Sequence, residues 1–197
     1  TPIKSSAASD VYKRQILHCK SDGIIVSAGY QLSRIKGFST EKLFRIVDSK
    51  YVLFSRNKVF RRLLRAEITG LYTLDDNSMI AIAKKGLFRC SPKGSDFHKV
   101  FAMPRGSKPL NLCILPNGHI FFGEYFQNIR KEAVNIYGSM NNGQSWKVVY
   151  TFSTGNINHV HGLFFDKYAS RMWVLTGDRE NAVSYTHLRA HETSAHL

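Results

Sequence analysis

Several polar residues in the C-terminal half of the chain have the side chains that catalysis or ligand binding requires. The set consists of Arg105, Lys108, Asn111, Glu124, Tyr125, His159, His161 and Asp178. Two carboxylates can act as acid and base in glycoside hydrolysis when the fold brings them to a suitable separation. Glu124 and Asp178 are therefore candidate catalytic residues, and the basic, amide and imidazole side chains are candidates for binding a substrate.

The two histidines are separated by a single residue. In a strand, residues two apart point to the same side, so His159 and His161 should present both rings to one face. Such a pair binds a metal ion only if a further ligand joins it, for which Glu124 or Asp178 would serve. Histidine pairs also form hydrogen bonds with sugars or anions. We predict a hydrogen-bonded pair, with no metal and no cofactor.

The cysteines do not indicate a metal or disulfide site. Cys19, Cys90 and Cys113 are odd in number and lack a Cys-x-x-Cys spacing. Cys90 and Cys113 fall in apolar runs typical of strands, and we expect them to be buried free thiols.

The elements that must position these residues are short strands. Apolar residues alternate over runs of four to seven residues, and glycine, asparagine, aspartate and proline separate the runs. The predicted strands before the C-terminal third are 23–28, 31–36, 43–47, 51–55, 59–65, 70–74, 79–83, 87–90, 97–101, 111–115 and 119–123. Further strands are predicted at 134–139, 146–152, 161–165 and 171–176. Four strands within the 32 residues 70–101 match a β-propeller blade.

The strand pattern repeats along the chain. Residues 71–77 align with residues 112–118, and Ser91 to Phe97 align with Ser139 to Trp146 after one deletion. The repeat period of 41 to 48 residues fits a propeller blade and exceeds that of the shorter solenoid repeats. We predict an all-β fold, a partial β-propeller of four-stranded antiparallel blades comprising about three blades. A flat β-sandwich of short strands is the alternative.

One predicted hairpin carries a recognisable motif. Ser139, Asn141, Gly143 and Trp146 form the pattern Ser-x-Asn-x-Gly-x-x-Trp between two strands. Asparagine can bond backbone amides beyond it, glycine can adopt a positive φ, and tryptophan can hold the turn against the sheet. The pattern resembles the Asp-box, or BNR repeat, of sialidase-like β-propellers, with Asn141 where the family usually has aspartate. The resemblance implies a structural role for these residues.

The resemblance also implies where a functional site would lie. In propellers of this family, functional groups cluster at one end of the central channel, on loops that enter innermost strands or join second to third strands. Loops 103–111, 123–128, 155–162 and 176–180 are those loops here, so the candidate residues should converge at the channel mouth. Tyr125 beside Glu124 is similar to the Tyr/Glu pair of sialidases, in which tyrosine is the nucleophile. Tyr125 is therefore a third candidate catalytic residue.

The resemblance implies a carbohydrate-binding or glycoside-hydrolase-like protein. The Arg-Ile-Pro motif of sialidases is absent, because Phe44-Arg45-Ile46-Val47 has valine where proline belongs. We therefore assign no catalytic arginine to Arg45 and no arginine triad. Segments 105–113, 121–126 and 159–166 resemble bacterial BNR-repeat proteins, which implies the fold and not an activity. The alternatives are a non-catalytic scaffold for protein interaction and a histidine-metal lyase or hydrolase.

Both ends of the sequence resemble translated sequencing-adaptor sequence, over residues 5–15 and 183–193. We expect non-native tails at 1–15 and 182–197 around an incomplete propeller domain at 16–181. If the chain derives from an enzyme, we expect an exo-sialidase-like glycosidase and an inactive fragment. His187, His191, Glu192 and His196 fall in the second tail, so their helical spacing does not predict a metal site. No cellular location is predicted.

Charge and hydropathy bound the possible partners. The formal net charge is +14, but the basic residues are dispersed, and the densest run is 58–65. As a strand, that run would distribute its cations over both faces, so we predict a solvated segment and no nucleic-acid partner. No apolar run reaches the length of a membrane span. The expected partner is a carbohydrate or another small polar ligand, and the alternative is a protein partner.

Overall fold

The computed structural model describes residues 15–20, 23–177 and 183–185. These residues form β-strands and two short helices, distributed over two compact units, Thr1–Ala102 and Met103–Leu197. No helix in the described ranges is long and apolar enough to cross a membrane.

The first unit contains two four-stranded antiparallel sheets whose strands follow one another in chain order. The first sheet comprises β1 (Gln15–Lys20), β2 (Gly23–Ala28), β3 (Gln31–Lys36) and β4 (Ser39–Arg45). The second comprises β5 (Gly70–Thr73), β6 (Met79–Ala83), β7 (Gly86–Cys90) and β8 (His98–Ala102). A parallel bridge between Ile46 and Phe97 connects the segments beside them, and both side chains are buried in the shared core.

Two helices, α1 (Val52–Arg56) and α2 (Lys58–Leu64), separate these sheets. The strands predicted at 51–55 and 59–65 are therefore wrong. The Asn57 side chain accepts hydrogen bonds from Val59 N at 2.9 Å and Phe60 N at 3.3 Å, which caps the start of α2. Arg65 ends the helix in the left-handed conformation. The capping asparagine was the sequence signal for a helix at this position.

The second unit contains a four-stranded antiparallel sheet and a three-stranded antiparallel sheet. The first comprises β9 (Cys113–Ile114), β10 (Ile120–Gly123), β11 (Val134–Ser139) and β12 (Lys147–Phe152). The second comprises β13 (Gly162–Asp166), β14 (Arg171–Leu175) and β15 (Val183–Tyr185). Strand β13 lies against β9 and β10, and Val134, Ile136 and Leu163 are buried in the core between the sheets.

The predicted fold class is confirmed: the chain is all-β and consists of antiparallel meanders of the partial-propeller type. Predicted strands 23–28, 31–36 and 79–83 coincide with β2, β3 and β6. Strand β1 was not predicted. Strand β15 lies in the segment predicted to be a non-native tail, and that assignment stays a prediction. Asp178 and the histidines at 187, 191 and 196 lie outside the described residues.

Cys90 and Cys113 are buried free thiols, as the sequence predicts. Burial raises the pKa of the Cys113 thiol from 9.0 to about 11. The folded state therefore favours the protonated thiol more strongly than the unfolded state does. Its contribution to the free energy of unfolding is fully present below the unfolded-state pKa and is lost as the pH rises from about 9 to about 11.

We expect the free energy of unfolding to fall by roughly 2 kcal/mol across that window because of Cys113. Urea denaturation at several pH values measures this slope. The Cys113→Ala variant should show a shallower slope than the parent chain, since it lacks the thiol. Parallel slopes for the two proteins would show that Cys113 does not contribute.

Candidate functional site

Glu124, which directly follows β10, is buried, with 4% of its surface exposed. Arg105 Nε donates a hydrogen bond to Oε1 at 3.1 Å, and Arg105 Nη2 donates to Oε2. The backbone N–H of Asn135 donates to Oε2 at 2.9 Å, and the Tyr137 hydroxyl donates to Oε1 at 3.4 Å. Both carboxylate oxygens are therefore occupied by donors from within the protein.

Arg105 forms a bidentate ion pair with this carboxylate. Its Nη1 also lies 3.4 Å from Glu132 Oε2, and its guanidinium carbon lies 4.4 Å from the centre of the Phe126 ring. Burial lowers the pKa of Arg105, but the hydrogen bonds and charge of Glu124 outweigh this effect and raise the pKa above its ordinary value. Burial and the charge of Glu124 likewise raise the pKa of Tyr137. Arg105 and Glu124 thus form one charged network around a buried carboxylate.

Tyr125, His159 and His161 form a second group, which we call the Tyr–His cluster. The centre of the Tyr125 ring lies 4.5 Å from that of His159 and 5.6 Å from that of His161. The Nε2 atoms of the two histidines are 2.9 Å apart. In the neutral state, one imidazole donates this hydrogen bond and the other accepts it. All three side chains are half-buried, so part of each faces solvent.

The backbone explains why Glu124 and Tyr125 belong to different groups. Successive side chains of an extended segment point to opposite faces, so burial of Glu124 leaves Tyr125 on the other side. The Glu124 carbonyl accepts a hydrogen bond from Val160 N at 2.9 Å, which fixes the segment between the two histidines beside Tyr125. The N–H of His161 donates to the Leu175 carbonyl at 2.7 Å.

Gly177 completes the wall of the Tyr–His cluster. Its φ is +46°, and a Cβ at this position would lie 2.3 Å from His161 Nε2. A side chain there would displace the imidazole, so the cluster requires glycine at this position. The sequence places Gly177 only in the loop 176–180 and does not indicate its contact with His161.

Asn111 bonds the backbone of β13. Its Nδ2 donates to the Leu163 carbonyl at 2.8 Å, and its Oδ1 accepts from Leu163 N at 3.2 Å. The amide side chain therefore pairs with a residue 52 positions later as a neighbouring strand would. Lys108 lies half-buried in the loop between Arg105 and Asn111.

The Asp-box-like hairpin forms a closely bonded turn. Ser139 Oγ accepts a hydrogen bond from Gly143 N at 2.9 Å, and Asn141 Oδ1 accepts one from Ser145 N at 2.9 Å. The indole N–H of Trp146 donates to the Gly143 carbonyl at 3.2 Å. These bonds stabilise the connection between β11 and β12, and the structural role of the motif stays a prediction.

The candidate residues thus separate into distinct environments. Tyr125, His159 and His161 are in contact, Glu124 is paired with Arg105, and Asn111 is bonded to β13. Sequence reasoning missed Tyr137, Glu132 and Gly177, whose roles depend on contacts between separate segments. In the part of the chain that the structure describes, no three His, Cys, Asp or Glu side chains are placed to hold a metal ion.

Comparison with known proteins identifies no family. No protein-family model matches the chain, and no curated protein matches it. Solved structures are similar at low identity. A chain of a nidogen/laminin complex is 12% identical, with a TM-score of 0.46 over 76% of this chain and 51% of that one. The present chain therefore spans about half of that chain's length.

Two bacterial structures are similar to a comparable degree. A gluconolactonase from Xanthomonas campestris is 10% identical, with a TM-score of 0.45 over 89% of this chain and 70% of that one. An extracellular domain of a hybrid two-component system from B. thetaiotaomicron is 14% identical, with a TM-score of 0.47 over 88% and 22%.

Proposed function

We propose that the second unit binds a carbohydrate at the Tyr–His cluster. The observation that carries the proposal is the contact of one tyrosine and two histidines, all half-buried, on the segments that follow β10 and precede β13. An aromatic ring supplies an apolar face for the C–H groups of a sugar, while hydroxyl and imidazole groups supply donors and acceptors for its hydroxyls. Ligand sites combine apolar walls with a few convergent polar groups in this way.

The environment of Glu124 favours binding over glycoside hydrolysis. A hydrolase needs a carboxyl group that reaches the scissile bond, with a second carboxyl group at a defined separation. Both oxygens of Glu124 already accept hydrogen bonds from the protein, and Asp178 lies outside the described residues. A catalytic function of Glu124, Tyr125 and Asp178 stays a prediction.

Saturation-transfer NMR tests the proposal with glucose, galactose, N-acetylglucosamine and N-acetylneuraminic acid as probes. We expect saturable binding of at least one sugar and a loss of about tenfold or more in affinity for Tyr125→Ala, because the stacking face is removed. Tyr168→Ala is the matched control, since Tyr168 lies in the same unit and is 88% exposed. Its affinity should equal that of the parent chain.

Two outcomes would overturn the proposal. If no sugar binds, or if Tyr125→Ala and the parent bind equally, a non-catalytic role in protein interaction becomes the better interpretation. The alternative is a metal site, because His159 Nε2 and His161 Nε2 lie 2.9 Å apart. Repeating the titration with EDTA distinguishes it from direct sugar binding. Sugar binding that disappears with EDTA would assign the site to a bound cation.

A further inference from the structure

A cavity of about 500 Å³ lies in the first unit, far along the sequence from the Tyr–His cluster. Its wall is formed by the turn between β2 and β3, the end of β4 with the residues that follow it, and both helices. The residues that carry the argument are Lys42, Arg45, Val47, Val52, Arg56 and Arg61. The volume lies within the range of roughly 300–1,000 Å³ typical of small-molecule sites.

The helix α1 is held closely against the sheet on one side of this cavity. Gly29 has a φ of +64°, and a Cβ there would lie 2.4 Å from the Ser55 carbonyl oxygen. The N–H of Ile46 donates to the Tyr30 carbonyl at 3.0 Å, which connects the turn to the segment after β4. The cavity therefore has a wall fixed by backbone contacts.

The cavity is lined by four cations and by no carboxylate. Arg45 lies 3.5 Å from Asp96 and Arg61 lies 3.3 Å from Glu67, so carboxylates outside the lining balance these two charges. Lys42 and Arg56 form no ion pair with any described residue. The lining thus has two positive charges that carboxylates of the described chain do not balance.

The charge and the apolar surface of the lining together indicate the chemical class of the ligand. A phosphate monoester carries a charge of about −1.5 to −2 at pH 7, which matches the two unbalanced cations. Guanidinium and ammonium groups bind phosphate oxygens through charge-assisted hydrogen bonds. Val47 and Val52, both half-buried, supply apolar surface for an organic substituent. An inorganic anion would leave that surface without a partner.

We propose that the first unit binds a small organic phosphate monoester in this cavity, with Lys42 and Arg56 contacting the phosphate. The proposal is independent of sugar binding by the second unit, because it rests on different residues.

Isothermal titration calorimetry on the full chain tests this proposal with phenyl phosphate. We expect saturable binding, with affinity at least about tenfold lower for Lys42→Gln and for Arg56→Gln, since each loses a charge-assisted hydrogen bond. Arg62→Gln is the matched control: Arg62 is exposed on α2, does not line the cavity, and loses the same charge. Circular dichroism of all three variants provides the control that each is folded.

A neutral probe and an inorganic probe separate the contribution of the aromatic ring from that of the phosphate group. Phenol and inorganic phosphate should each bind at least about tenfold more weakly than phenyl phosphate, because each lacks one of the two matching parts. The proposal is overturned if the parent shows no saturable binding, if phenol or inorganic phosphate binds equally well, or if Arg62→Gln weakens binding as much as Arg56→Gln. Equal binding of benzoate would overturn the assignment to phosphate.

Discussion

The Glu124→Gln variant is expected to have a free energy of unfolding about 3 kcal/mol lower than that of the parent chain. The substitution keeps the shape of the side chain but removes the negative charge that Arg105 neutralises. It also places amide hydrogens near donors from Arg105, Asn135 or Tyr137, so that at least one buried donor loses its acceptor. Removal of one partner of a buried ion pair costs about 3–5 kcal/mol in other proteins.

Glu132→Gln is the matched control for this experiment. Glu132 also contacts Arg105, but its side chain is 51% exposed and the N–O distance is 3.4 Å. Exposed ion pairs contribute about 1 kcal/mol or less, so the control should lose little stability. Urea denaturation of the three proteins gives the comparison. Similar losses in both variants would contradict a special role of the buried pair.

The expected loss of stability in Glu124→Gln affects the choice of variants for testing function. A loss of activity or binding in a Glu124 variant would not distinguish a catalytic carboxylate from a destabilised loop. Substitutions at Tyr125 avoid the difficulty, because its ring contacts the histidines and not the charged network. We therefore expect Tyr125→Ala to retain a free energy of unfolding closer to the parent value than Glu124→Gln does.

The Phe122→Ala variant is expected to lose about 3–5 kcal/mol of stability, a typical cost for removing a buried aromatic ring. Phe122 on β10 is fully buried. Its ring stacks on Tyr137 with centres 5.2 Å apart and contacts Trp146 at 5.2 Å. Removing it leaves a cavity between the sheet and the hairpin that connects β11 to β12.

Phe164→Ala provides the corresponding control in the same unit. Phe164 lies on β13 and is 52% exposed, so its removal should cost about 1 kcal/mol or less. Thermal unfolding followed by circular dichroism measures both changes. Equal losses would mean that the Phe122 ring does not support the hairpin.

Local pattern was sufficient to predict most of the sheets. Alternating apolar residues bounded by turn residues predicted β2, β3 and β6 correctly. The same alternation failed at α1 and α2, because apolar residues in short segments fit both periods. At α2 the Asn57 cap decides for the helix, whereas α1 has no side-chain cap. Periodicity in a short segment therefore does not by itself determine a strand.

The candidate site was less accessible to sequence reasoning. The spacing of His159 and His161 predicted rings on one face, and their Nε2 atoms are in contact. The pairing of Glu124 with Arg105 joins residues 19 positions apart and depends on the path of the intervening chain. Composition cannot distinguish a solvent-facing glutamate from a buried glutamate that an arginine holds.

Asn111 has a consequence for engineering. Because its amide pairs with the backbone of Leu163, part of the alignment of β13 is set from the preceding sheet and not by the loop that leads into it. The exposed residues Ser153, Thr154 and Asn156 of that loop can therefore be exchanged while Asn111 and Leu163 keep their bonds, whereas Ile157 is buried in the core and has to stay apolar. The second unit thus offers exposed positions for new recognition residues in the segment that leads to His159.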